Sequence, residues 1–229
     1  MYENLLSIVI RNSADIAICD ITTVYSSGTT EDDTLPNVPN DKLINKDDLQ
    51  PEHLLYMAGS ACRCIYKKTL FANKNVRFPI GIKLSEDRIF NIIAMGCADG
   101  IYYKKTGLYL RHIVVGSAVN KYHGDYFSTV IRASEKTEEA LRYCGFGEDF
   151  VEIYGKQTVN GAMSAVYNEF HKDSPKSFSK KISAVREICE NERVQHALSV
   201  HGQGFKFGLM KKKKVYLLSL LAKVRSILR

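Results

Sequence analysis

No run of 18 apolar residues occurs in the 229-residue sequence, so no segment is long and apolar enough to cross a bilayer as a helix. The opening Met1-Tyr2-Glu3-Asn4 has neither a basic n-region nor a small-residue cleavage site, which argues against a secretory leader. Cysteine is sparse. The six residues fall at 19, 62, 64, 97, 144 and 189, with no two pairs at zinc-site spacing and too few for a disulfide framework at this size. Most lie inside apolar patterns, where a free thiol behaves as a small hydrophobe, so reduced cysteines in a cytoplasmic protein are expected. Tryptophan is absent. No nucleic-acid-binding motif occurs and the aromatics do not interleave with the basic run, so no nucleic-acid partner is expected.

What is present is an ordinary globular composition, 45% hydrophobic and 25% charged, enough for one large core or two small ones. The net charge of +7 is unevenly spread. The first 60 residues are acidic, whereas Lys211-Lys212-Lys213-Lys214, Lys223, Arg225 and Arg229 load the C-terminus. That asymmetry points to an anionic partner for the tail rather than for the whole chain.

Along the chain, Met1 to Asn12 reads as a helix with Leu5, Leu6, Val9 and Ile10 on one stripe. Ala14 to about Tyr25 reads as a mostly buried strand, so the chain opens with half of an α/β unit. Ser26 to Asp48 is a polar excursion with Gly28, Pro36 and Pro39. Its acidic pairs, Glu31-Asp32-Asp33 and Lys46-Asp47-Asp48, read as solvated loop or helix start. Leu49–Gly59 and Lys67–Asn73 read as helices, with an extended piece at Ala61–Tyr66 between them. Gly100–Lys104 and Leu108–His112 read as two strands around Thr106-Gly107, a hairpin-like pair. From Tyr126 onward the pattern is helical throughout.

The stretch Phe78-Pro79-Ile80-Gly81-Ile82-Lys83-Leu84-Ser85-Glu86-Asp87-Arg88-Ile89-Phe90 reads as a loop entering a helix. Ser85 suits the N-cap, and apolar positions recur at Ile89, Phe90, Ile93, Ala94 and Cys97. Glu86 and Asp87 then sit together in the first turn. Two roles are open for them. Acidic residues there offset the helix dipole, worth about 0.3–1 kcal/mol each. An ionised carboxylate on a rigid element beside a loop also meets the requirements of a general base.

The ordered set Ile65-Tyr66-Lys67-Lys68-Thr69-Leu70, Val76-Arg77-Phe78-Pro79 and Ser85-Glu86-Asp87-Arg88-Ile89-Phe90 resembles the acceptor half of a family 2 glycosyltransferase of the GT-A fold. The resemblance implies inverting sugar transfer, with Asp87 as the base and with Glu86 and Arg88 orienting it or the acceptor. Tyr109-Leu110-Arg111-His112, followed by Gly116-Ser117, resembles the family segment near the donor diphosphate. Arg111 and Ser117 would face the diphosphate, and His112 would complete a divalent metal site, Mn2+ or Mg2+ in this family. Arg111 could equally be a surface pairing residue, and His112 a strand-end histidine bonded to a neighbour.

In the family, the Asp-x-Asp motif and the nucleotide-binding strands precede a helix such as Met1–Leu6. The sequence begins at that helix, so the resemblance covers roughly residues 1–120 and matches only the downstream part of the catalytic domain. The expected architecture is therefore α/β: a truncated GT-A-like, Rossmann-like mixed sheet over 1–122, then a mostly helical region over 123–229. Without the missing strands, the face of Ile16-Ala17-Ile18 should be open to water and the isolated chain poorly soluble.

Residues 211–229 read as a basic amphipathic helix. It could lie on an anionic leaflet, at the inner face of the membrane, or pack on the helical region with its lysines in solvent. The partners implied are a nucleotide-sugar donor and a glycan or lipid-linked acceptor of surface polysaccharide assembly. A reading of another class is a non-catalytic peripheral membrane or scaffold remnant of such an enzyme.

Overall fold

A computed structural model describes residues 1–74, 76–113 and 121–227. The chain forms two compact units, one from residues 1–115 with 136–153, the other from 116–135 with 154–229.

The first unit is built on β1 (Ile16–Val24), buried along nearly its whole length. Helix α1 (Tyr2–Asn12) precedes it, ending at Ser13 in the left-handed conformation. Leu5 of α1 packs with Ala17 and Cys19 of β1, so the helix stripe covers one sheet face. On one side β1 pairs in parallel with β5 (Gly100–His112). Its other edge is shared. Ile16–Ile18 pair antiparallel with β4 (Cys64–Tyr66), and Ile21–Val24 with β2 (Thr30–Asp33). β3 (Lys42–Asn45) adds antiparallel to β5, giving the order β2-β1-β5-β3 with β4 on β1.

Several expectations are corrected here. Ile16, Ala17 and Ile18 are fully buried: β4 supplies the strand neighbour that the sequence order concealed, and α1 covers the Ala17 face. The expected hairpin at Thr106-Gly107 is one continuous 13-residue strand, β5. Gly107 serves close approach rather than a turn. A Cβ there would lie 1.9 Å from Thr22 Oγ1, beside the shift in register where β5 crosses Asp20. Glu31-Asp32-Asp33 is not a loop but an exposed edge strand, where charged side chains discourage further pairing. Thr22 Oγ1 donates to Asp32 Oδ1 at 2.6 Å.

Helices α2 (Pro51–Met57), α3 (Lys68–Asn73) and α4 (Glu86–Cys97) complete the sheet's surroundings. Pro51 occupies the first turn of α2, where its missing N–H costs nothing. Gly96 lets a neighbouring segment approach α4 closely, since a Cβ there would lie 2.6 Å from Cys144. Asp15 ties the unit together. Its carboxylate accepts from Lys67 Nζ at 3.0 Å and from the Asp99 N–H at 2.8 Å, linking the start of β1 to the end of β4 and to the α4–β5 turn.

The second unit is helical. It holds the first part of α5 (Tyr126–Tyr143) and most of α6 (Glu148–Glu169), residues 136–153 belonging to the first unit, and then α7 (Phe178–Glu190), α8 (Glu192–His201), α9 (Phe205–Lys211) and α10 (Val215–Ile227). Ser177 caps α7 by accepting from the Lys180 N–H, and Asn191 caps α8 by accepting from the Val194 N–H. Val166, Val185, Ile188, Leu198, Met210 and Leu218 are among the core side chains. The lysine run does not open the last helix, as expected from sequence. It ends α9: Lys213 is left-handed, and the Lys214 and Lys213 N–H groups bond back to the Leu209 and Met210 carbonyls, a Schellman ending. Among the described residues no helix is long and apolar enough to cross a membrane.

Candidate functional site

The start of α4 gathers the residues that carried the Glu-Asp reading. Phe78 stacks on Phe90 with ring centres 4.0 Å apart, and Tyr66 meets Phe90 edge-on at 5.3 Å. Phe71 of α3 completes the cluster, 6.0 Å from Tyr66. Segments far apart in sequence thus converge as one aromatic platform under the first turns of α4. Such ring pairs add about 0.5–1.5 kcal/mol each beyond simple burial.

A buried polar bridge fixes the same helix. Tyr66 OH donates to Asn91 Oδ1 at 2.6 Å, and Asn91 Nδ2 donates to the Ala58 carbonyl at 3.2 Å. Asn91 is wholly enclosed. Burial, first of all, and then the negative charge around it hold the Tyr66 hydroxyl well above its ordinary pKa, so it stays a donor. The 58–61 turn after α2 is thereby pinned against α4.

That turn in turn holds Asp87. The Ala61 N–H donates to Asp87 Oδ2 at 3.0 Å. Asp87 Oδ1 has no hydrogen-bond partner among the described residues, and the side chain is half-buried. One oxygen is anchored and the other is available to accept a proton. Glu86 is half-buried and makes no hydrogen bond or ion pair among the described residues. Arg88 Nη1 donates to Ser85 Oγ at 3.1 Å. Ser85 sits at the N-cap position but does not cap with its side chain. It is left-handed, with φ 66°, and its hydroxyl serves Arg88 instead. A non-glycine residue held there stores about 1–2 kcal/mol, a cost that recurs at functional sites.

The other expected site residues sit elsewhere. Arg111 and His112 end β5, exposed, at the carboxyl end of the parallel pair, opposite Thr23 and Val24. Arg111 Nη2 donates to Thr23 Oγ1 at 2.7 Å, which orients the guanidinium, and its other N–H groups have no partner among the described residues. Beside it Tyr25 OH donates to Glu31 Oε2 at 2.6 Å, a bond that raises the tyrosine's pKa. Carboxyl ends of parallel strands are where ligands bind in open α/β sheets. No hydrogen bond or ion pair joins the Arg111 group to the Asp87 group among the described residues. Ser117 lies outside the described residues.

Among the described residues, no three His, Cys, Asp or Glu side chains come close enough together to hold an ion.

A second buried polar group escaped the sequence reading. Tyr103 OH donates to Asp20 Oδ1 at 2.6 Å and accepts from the Leu35 N–H at 3.1 Å. Asp20 and Arg63 are both almost fully enclosed. Burial raises the Asp20 pKa against the opposing effects of the Tyr103 bond and the Arg63 charge. Arg63 Nη2 donates to the Tyr56 carbonyl at 3.1 Å, while Nε and Nη1 find no partner among the described residues. The signal available in the sequence was a charged residue inside the apolar run Ile16–Ile21. Nothing local paired it with Tyr103, 83 positions away.

Comparison with known proteins yields fold but no sequence relative. No family model matches the chain, and no curated protein matches it. Among solved structures, S. aureus TarS 1-349 superposes with a TM-score of 0.56 and 13% identity, over 99% of this chain and 62% of that one. The same protein in complex with UDP-GlcNAc gives 0.52 and 13%, over 97% of this chain and 62% of that one. The chain therefore shares the fold of TarS 1-349, a mixed α/β sheet with a mostly helical C-terminal region, and spans 62% of the length of the structures it resembles.

Proposed function

We propose that this chain serves inverting transfer of a sugar from a nucleotide-diphosphate sugar to a hydroxyl acceptor, with Asp87 as the general base. The observation that carries the proposal is the asymmetric Asp87 carboxylate. One oxygen is fixed by the Ala61 N–H, and the other is open at the mouth of a helix braced by Tyr66, Phe78, Phe90 and Asn91. A neighbour in fold solved with UDP-GlcNAc supports the donor class.

In this reading the acceptor O–H gives its proton to Asp87 Oδ1 as its oxygen forms a bond to the anomeric carbon. The bond from that carbon to the donor phosphate breaks on the opposite face, and the nucleoside diphosphate leaves with the electron pair. A positioned base contributes typically about 10²–10⁴ in rate. Glu86 and Arg88 orient the acceptor. Arg111, already aimed by Thr23, takes part of the diphosphate charge through its planar fork, and Ser117 is assigned a second contact to the same group. Mn2+ or Mg2+ is the ion expected in the reaction mixture, and a glycan or lipid-linked hydroxyl of surface polysaccharide assembly the acceptor.

Calorimetric titration of the purified chain with a panel of nucleotide sugars, with and without manganese, tests the donor part. Saturable binding of at least one uridine diphosphate sugar is expected, weakened by Arg111→Ala. Absence of binding across the panel would overturn the donor assignment.

A further inference from the structure

Helix α10 has two apolar faces, and the fold uses only one. Val215, Leu218, Ser219 and Ala222 are buried in the helical unit, against α7 and α9 among others. The opposite side presents Tyr216, Leu217, Leu220, Leu221, Val224 and Ile227 to solvent, with Leu217 53%, Leu220 58% and Ile227 73% exposed. At 3.6 residues per turn these six span an arc of about 140° with no charged residue inside it. Lys223 borders the arc on one side and Arg225 on the other. Both are held in place, Lys223 Nζ 5.5 Å from the Phe178 ring centre and the Arg225 guanidinium 4.0 Å from that of Tyr167. The four exposed lysines, Lys211–Lys214, stand at the helix entrance.

A continuous apolar patch rimmed by charge marks an interaction surface. The charge decides what covers this one. Residues 193–229 contain nine Lys and Arg and no Asp or Glu. A second copy docking on the same face would bring like charge against like charge with no acid to relieve it. An anionic bilayer offers what both parts of the surface need, acyl chains for the six apolar side chains and phosphate groups for the basic border.

We propose that α10 is an interfacial docking helix that seats this chain on an anionic membrane surface, the Tyr216–Ile227 face entering the headgroup–acyl boundary. The inference stands independently of the sugar-transfer reading.

The test uses the full chain and vesicles of phosphatidylcholine alone or mixed with phosphatidylglycerol. Wild type should float with the mixed vesicles, not with phosphatidylcholine alone, and dissociate as salt rises. Leu217→Gln, Leu220→Gln and Val224→Gln combined keep every charge and replace only exposed side chains, so folding by circular dichroism should match wild type while flotation is lost. Lys211–Lys214 changed to Gln should weaken binding about fivefold per lysine, the equivalent of about 1 kcal/mol each near an anionic leaflet. Because the chain has no tryptophan, Leu220→Trp supplies a unique indole. Its emission should shift to the blue on mixed vesicles and be quenched by brominated acyl chains. The proposal is overturned by failure of wild type to float, by equal flotation of the triple Gln variant, or by an indole that stays in water on bound vesicles. A stable dimer broken by the same Gln substitutions would overturn it in favour of a second copy.

Discussion

Asp15→Ala should lower the stability of the sheet-bearing unit by about 1.5–4 kcal/mol. The magnitude follows from the two bonds its carboxylate makes. The Asp99 N–H at 2.8 Å donates to a charged acceptor in a nearly enclosed position, a loss of about 1.5–3 kcal/mol. Lys67 Nζ at 3.0 Å adds less, about 0–1 kcal/mol, because the lysine is half exposed and screened. Burial opposes ionisation of Asp15, but the Asp99 bond, the Lys67 bond and charge, and the Gly100 N–H outweigh it, so the folded carboxyl lies below its ordinary range. A depressed carboxyl pKa stabilises above the unfolded value and is lost as pH falls through the folded one. The gap between wild type and variant should therefore be full above about pH 5 and close in acid. Hydrogen exchange of β1 and β5 peptides across a urea series reads this unit separately from the helical one. A gap under about 0.5 kcal/mol, or one unchanged from neutral pH into acid, would refute the reasoning.

Other substitutions probe the remaining joints. Asp20→Asn should show the opposite pH trend. Burial raises the Asp20 pKa, so the folded state is favoured with the proton on, and the variant should gain on wild type as pH rises through that pKa in urea titrations. Gly96→Ala should destabilise by about 1–3 kcal/mol in thermal unfolding, because the new methyl meets Cys144. Asn91→Ala strands the Tyr66 hydroxyl and the Ala58 carbonyl, and should cost about 1–3 kcal/mol while exposing the 58–61 turn to faster amide exchange. Thiol labelling of the native chain should find the exposed Cys62 first, since burial pushes the Cys64 and Cys144 thiols up to about 12.

Local periodicity made the helices and β1 readable. Apolar spacing at Ile89, Phe90 and Ala94 placed α4, and the continuous Ile16–Ile21 run placed the central strand. Sheet partnership was not local and was not readable. β4 is three residues long and earns its place only by pairing with Ile16–Ile18, and β2 consists of exposed polar and acidic residues with no apolar alternation to announce it. Gly107 was misread because glycine for close approach and glycine for a turn look alike until the opposing Thr22 is known. At the candidate site, Glu86, Asp87 and the aromatics were visible as motifs. The Ala61 N–H that anchors Asp87 was not, since a backbone group carries no side-chain signature. Which side of α10 the fold would bury was likewise hidden, because apolar residues lie on both sides of the helix.

The account turns on Asp87, and the most direct measurement compares Asp87→Asn with wild type for nucleoside diphosphate release from the bound sugar donor in the presence of an acceptor hydroxyl. The amide keeps the shape of the side chain and can still accept from the Ala61 N–H, so donor affinity should be unchanged while turnover falls by about 10²–10⁴. Turnover equal to wild type at matched donor occupancy would contradict the assignment of Asp87 as the base.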